Sequence, residues 1–280
     1  MPVGPARMPL FDHLGELRMR LVRIVACLVV GVFVFFLASA TIMDFMLLPI
    51  SEFVPWDING DPEWYSFGAF DAFTLRFTVS FWASLVATMP VILWQILAFF
   101  LPALKPNERK WFIPTVAAGV ALFIFGTVFC YLVILHPAFG WLTDQATGMT
   151  TILPEAKSWF NLIVKFELGF GFAFELPLIV FYLVIFDVVP YKKLRGSWRT
   201  VYIALLVISA MVTPDASPVT MILMFAALVV LYEGSLLVSR LVLGKRIKKQ
   251  NEKLAEEEAE EAAMEKAYQK EKAAKEKAKD

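Results

Sequence analysis

Residues 200–232 read TVYIALLVISAMVTPDASPVTMILMFAALVVLY, and Asp215 is the one charge they contain. The reading of this stretch decides the fold. A single long helix is excluded by Pro214, Asp215 and Pro218, a turn-forming cluster in which two residues cannot supply a backbone N–H. Two runs remain, Thr200 to Pro214 and Ala216 to Tyr232, which at the helical rise reach only about 22 to 26 Å. A bilayer core is about 30 Å thick. The stretch is therefore expected to form a hairpin of two short helices that thins the bilayer beside it.

Working outward, the chain has the composition of a membrane protein: 59% of its 280 residues are hydrophobic, 26 are Phe, and the mean hydropathy is +0.65. Four further runs have the length of a span. They are Ile24 to Met43, Phe77 to Leu104, Trp111 to Thr143 and Leu168 to Phe186, the last holding Glu175. Ala38, Ser39 and Ala40 imitate a signal-peptide cleavage site, but apolar character continues through Pro49, so the first span is expected to be retained.

Basic and acidic residues balance at 26 each, so their placement carries the information. Arg7, Arg18, Arg20 and Arg23 precede the first span, while Asp44, Glu52, Asp57, Asp61, Glu63 and Asp71 crowd the next loop. Lys105, Arg109 and Lys110 mark the loop after it. Lys192, Lys193, Arg195 and Arg199 mark another, and Lys245, Arg246, Lys248 and Lys249 follow the last span. The positive-inside rule then predicts an all-α membrane protein with six transmembrane helices and both termini cytoplasmic. Residues 1–23 form a cytoplasmic amphipathic segment, 24–243 the membrane domain, and 244–280 a charged tail rich in Lys, Glu and Ala, disordered or partly helical. Trp56, Trp64, Trp111, Trp141, Trp159 and Trp198 fall near the inferred interfaces as an aromatic belt.

The amphipathic segment contains HLGELRMRL, His13 to Leu21. On a helix Leu10, Leu14, Leu17 and Leu21 share one face, and Asp12, Glu16, Arg20 and Arg23 another. Glu16 is either an ordinary i,i+4 partner of Arg20, worth about 0.3–0.5 kcal/mol, or a carboxylate offered to a cationic ligand. The next cytoplasmic loop, FLPALKPNERKWF, holds a second carboxylate, Glu108, in a connection stiffened by Pro102 and Pro106. Two carboxylates on one side of the membrane suit two guanidinium groups, whose planar fork Lys cannot reproduce.

Other features are bounded more briefly. Glu175 lies inside a span, where a carboxylate costs about 2.5–3.5 kcal/mol on insertion scales, so it is expected to face a polar cavity or partner. Pro177, two residues on, is expected to kink that helix. Asp215 is either a turn former or a functional acid. Glu233 is expected to snorkel or pair with Arg240. Cys27 and Cys130 sit in apolar runs without metal-ligand spacing. No Walker loop, zinc spacing or nucleophile with a His base occurs, so no enzyme activity, cofactor, metal or nucleic-acid partner is expected.

HLGELRMRL, FLPALKPNER (Phe100 to Arg109), GFAFELP (Gly171 to Pro177) and TPDAS (Thr213 to Ser217) resemble, in this order, the motifs of the TatC family, over roughly Met8 to Gly244. That family is the signal-reading core of the twin-arginine protein translocase. The resemblance implies a concave, glove-like bundle in a bacterial cytoplasmic (inner) membrane, driven by the proton-motive force. It implies that Glu16 and Glu108, with Leu17, Arg18 and Arg109, bind the paired arginines of signal peptides on folded precursors. It implies that Glu175 meets a polar residue of TatA/TatB-type single-span subunits, and that Pro214 and Asp215 form the outer turn. Further copies of the chain and membrane lipid complete the implied partners.

Two rival readings stand beside it. One is a small-solute transporter with Glu175 as proton carrier, disfavoured by the lone intramembrane charge and the absence of a repeated half. The other is a scaffold that anchors partners through the tail after Gly244.

Overall fold

The computed structural model describes residues 10–58, 60–100, 109, 112–149, 153–185, 188–214 and 217–277. Glu108 and Asp215 lie outside the described residues. The described chain is built from helices: α1 (Leu10–Leu37), α2 (Ser39–Leu47), α3 (Asp71–Phe100), α4 (Phe112–Phe129), α5 (Leu135–Ala146) and α6 (Ala156–Ala173). They are followed by α7 (Leu176–Ile185), α8 (Tyr191–Gly196), α9 (Trp198–Val212), α10 (Pro218–Val242) and α11 (Gly244–Lys277). Among the described residues, five helical stretches are long and apolar enough to cross a membrane: Leu14–Leu37, Asp71–Phe99, Phe112–Ala146, Ala156–Ile185 and Pro218–Val242. α9 is a shorter apolar helix of 15 residues.

Prolines set the irregularities inside these stretches. α4 passes into α5 through a π-helical turn, Cys130–Ile134, where the Leu135 N–H donates to the Cys130 carbonyl. Pro137 follows directly, and the wide turn absorbs the hydrogen bond that its missing N–H cannot make. Pro177 acts more sharply. The helix stops at Ala173, Phe174 and Glu175 form a turn, and α7 starts at Leu176, as the sequence predicts for a kink. Glu175 N–H donates to Phe172 O at 3.1 Å, and the chain recovers when Ile179 N–H donates back to Glu175 O, also at 3.1 Å.

The core is centred on α6. Phe160, Ile163, Phe166 and Phe170 are buried there against Phe129 of α4, Ile134 of the π turn and residues of α3. Glycine lets α4 and α6 approach closely, because a Cβ at Gly126 would stand 2.8 Å from the Phe170 carbonyl oxygen. α1 is held differently. It packs on α3 while Leu14, Leu17, Leu21, Phe33 and Leu37 remain exposed, as suits a helix whose outer neighbour is lipid.

Cross-links fix which ends lie together. Arg20 of α1 reaches Gln95 of α3, and Leu28 accepts from the Ser84 hydroxyl at 2.8 Å, so α1 and α3 run antiparallel. At the other end Lys157 Nζ donates to Asp71 Oδ1 at 2.9 Å, joining the starts of α3 and α6. Tyr65 N–H donates to Pro154 O at 3.0 Å, docking the acidic loop 54–70 onto the 153–155 segment.

α1 carries the amphipathic start straight into the first span, running unbroken from Leu10 through Leu37. Two expectations are corrected. The sixth helix is not short: α10 has 25 residues and continues past Glu233. It can do so because Glu233 is neutralised by Arg195 of α8 at 2.5 Å and accepts from the Tyr202 hydroxyl at 2.9 Å. Arg240, two helical turns away on the same helix, is not the partner. The first turns of α11 are also packed, with Ile247 buried and Gln250 Nε2 donating to Val184 O at 3.0 Å.

Candidate functional site

On the side carrying the basic loops, α1 presents Glu16 and Arg20 inward and Leu17, Arg18 and Arg23 outward. Arg20 Nε donates to Glu16 Oε1 at 3.1 Å, its Nη2 bonds the same oxygen, and its Nη1 lies 3.3 Å from Gln95 Oε1. The two side chains are largely covered, at 18% and 25% exposure. Antiparallel packing puts Glu16 level with the last turn of α3. The loop holding Glu108 and Arg109 leaves from there, and Arg109 is exposed. Helix geometry thus brings Glu16 to the root of the predicted second motif.

Glu175 occupies the turn between α6 and α7 and is buried, at 7% exposure. Among the described residues neither of its carboxyl oxygens has a hydrogen-bond partner. Gly119 of α4 makes the room: a Cβ added there would stand 3.2 Å from Glu175 Oε2 and 2.9 Å from Leu93 Cδ1. Pro177, two residues further along the chain, lines an apolar groove of about 770 Å³ between α4, α7 and α10, walled also by Ala118, Phe181, Leu231 and Val238.

Pro214 closes α9 and Ser217 opens α10. The Ser217 hydroxyl accepts from Val219 N–H at 3.2 Å and Thr220 N–H at 3.5 Å, with Pro218 in the first helical position. This cap fixes where α10 begins.

One intramembrane carboxylate is missing from the sequence reading. The uncharged run of the fourth span starts at Leu168, whereas α6 begins at Ala156 and buries Glu167 to 2% exposure. It lies within electrostatic reach of Cys130 and Tyr131 in the π turn. The signal was present: Phe160, Ile163, Val164, Phe166 and Glu167 share a face at helical spacing. Among the described residues, no three His, Cys, Asp or Glu side chains gather to hold a metal ion.

The family model for Sec-independent protein translocase protein (TatC) matches residues 12–226. A Sec-independent protein translocase protein TatC of Deinococcus radiodurans is 32% identical over 239 residues, covering 85% of this chain and 88% of that one. One from Aquifex aeolicus is 29% identical, covering 85% and 98%. The crystal structure of a twin-arginine translocase receptor, TatC, superimposes with a TM-score of 0.68 at 26% identity, covering 82% of this chain and 98% of the other.

Proposed function

The chain belongs to the TatC family of Sec-independent protein translocase proteins, and from that premise we propose that it binds the twin-arginine signal peptides of folded precursors. Glu16 and Glu108 receive the arginine pair, and Leu17, Arg18 and Arg109 complete the surface. The observation that carries this reading is the position of Glu16 beside the end of α3, where the second motif begins. A pair of carboxylates there matches a pair of guanidinium groups in charge and in fork geometry.

After docking, the apolar part of the signal enters the bundle, and Glu175 engages a polar group of a TatA/TatB-type single-span subunit. Its support is the buried carboxyl, whose oxygens have no hydrogen-bond partner among the described residues, a costly state that a polar residue from a neighbouring helix relieves. Transport draws on the proton-motive force in a bacterial inner membrane, with both termini cytoplasmic, further copies of the chain alongside, and lipid thinned next to α9. Residues 1–23 act in recognition, 24–243 span the membrane six times, and 244–280 form a cytoplasmic tail.

The test is binding of an Arg-Arg signal peptide and its Lys-Lys version to the purified chain in nanodiscs. Arg-Arg is expected to bind better, and Glu16→Ala or Glu108→Ala to remove the preference. Equal binding of both peptides to the unsubstituted chain rejects the reading.

A further inference from the structure

The Glu16 carboxylate is already engaged by a guanidinium. Arg20 approaches it with Nε and Nη2, and both N–H groups converge on the one oxygen Oε1 in a charge-assisted contact. A plain surface pair on a helix would leave both side chains in water. Here they are mostly covered, and the remaining arm of Arg20 is held by Gln95 from the neighbouring helix. We infer that Arg20 is an internal stand-in for a signal-peptide arginine, which must displace it from Glu16 to bind.

This inference rests on the proposed reading of Glu16 as a signal-peptide contact. The exchange is chemically even, since one guanidinium replaces another on the same oxygen and the carboxylate is never left bare. Gln95 gives the displaced Arg20 an acceptor to keep, and the charge of the ejected group is met by water at the membrane surface. Lysine cannot make the exchange on equal terms, because its ammonium offers no planar fork. Competition of this kind scales every ligand's affinity by one factor. Arg20 therefore sets how tightly signals bind, and Glu16 sets which are preferred.

That separation gives the experiment. Dissociation constants of synthetic Arg-Arg and Lys-Lys signal peptides are measured on the full chain in nanodiscs. The variants are Arg20→Gln, Arg20→Lys, Glu16→Gln and the Glu16→Gln/Arg20→Gln pair. Arg20→Gln is expected to tighten both peptides about three- to tenfold, the range of a charge-assisted pair in partial cover, with the Arg-Arg preference unchanged. Arg20→Lys gives a smaller gain in the same direction and carries the test if the Gln variant does not fold. With Glu16→Gln the gain is abolished. If Arg20→Gln and Arg20→Lys fail to tighten binding while Glu16→Gln still removes the preference, the stand-in is rejected and the reading of Glu16 stands. If Glu16→Gln leaves the preference intact, Glu16 is not the reader and both fall.

Discussion

Gly31 of α1 lies directly against Ser84 of α3: a Cβ added at Gly31 would stand 3.0 Å from Ser84 Cβ and would overlap its hydroxyl. That hydroxyl is tied to Leu28 O, so it cannot simply swing aside. Close approach through small residues is the way helices associate in lipid, where apolar surface gives no advantage to contact with protein over contact with hydrocarbon. Gly31→Ala is expected to cost about 1–3 kcal/mol by overpacking, read by thermal unfolding in detergent. Gly31→Ala/Ser84→Ala should recover most of the loss.

Glu175 separates stability from assembly. Its two carboxyl oxygens are buried without hydrogen bonds among the described residues, so Glu175→Leu removes a destabilising polar group. The isolated chain should gain about 1–3 kcal/mol, while co-purification with single-span subunits should drop severalfold. Loss of stability together with unchanged co-purification would place the role of Glu175 within the bundle.

Much of this architecture is legible in the sequence because hydropathy and proline act locally. The hairpin at TPDASP, the kink before Pro177 and the apolar spans all follow from rise per residue and missing N–H groups. What escaped depends on neighbours distant in sequence. α10 outruns its apolar stretch because Arg195 and Tyr202 come from other helices to meet Glu233. Glu167 escapes a count of uncharged residues because α6 begins at Ala156 and carries Lys157, Lys165 and Glu167 within its helical length. The inward turn of Glu16 and Arg20 was within the helical pattern, but their contact with Gln95 required the α1–α3 register. Glu167 weakens the argument that Glu175 is the lone intramembrane charge. Family membership, not charge counting, now stands against a small-solute transporter.

Glu167 itself is expected to be dispensable for signal reading, being far along α6 from the basic side and 2% exposed. Glu167→Met should leave the Arg-Arg preference intact and raise thermal stability by about 1 kcal/mol or more, through removal of a carboxyl from an apolar site. A loss of peptide binding would show instead that the π turn and the basic side are coupled.

Glu233 anchors α8 to α10, together with the Tyr232 hydroxyl that donates to Leu194 O at 2.9 Å. The two anchors differ in burial. The Arg195–Glu233 pair is 58% and 36% exposed, so its contribution is screened by salt, whereas Tyr232 is buried. Glu233→Gln is expected to cost about 0.5–1 kcal/mol at low salt and less at 1 M salt. Tyr232→Phe should cost about 1–3 kcal/mol at any salt, since it leaves the Leu194 carbonyl without its donor. Thermal unfolding at two ionic strengths measures both. Equal salt dependence of the two variants would mean that α8 is held by charge alone, and that the buried hydroxyl contributes nothing to its docking.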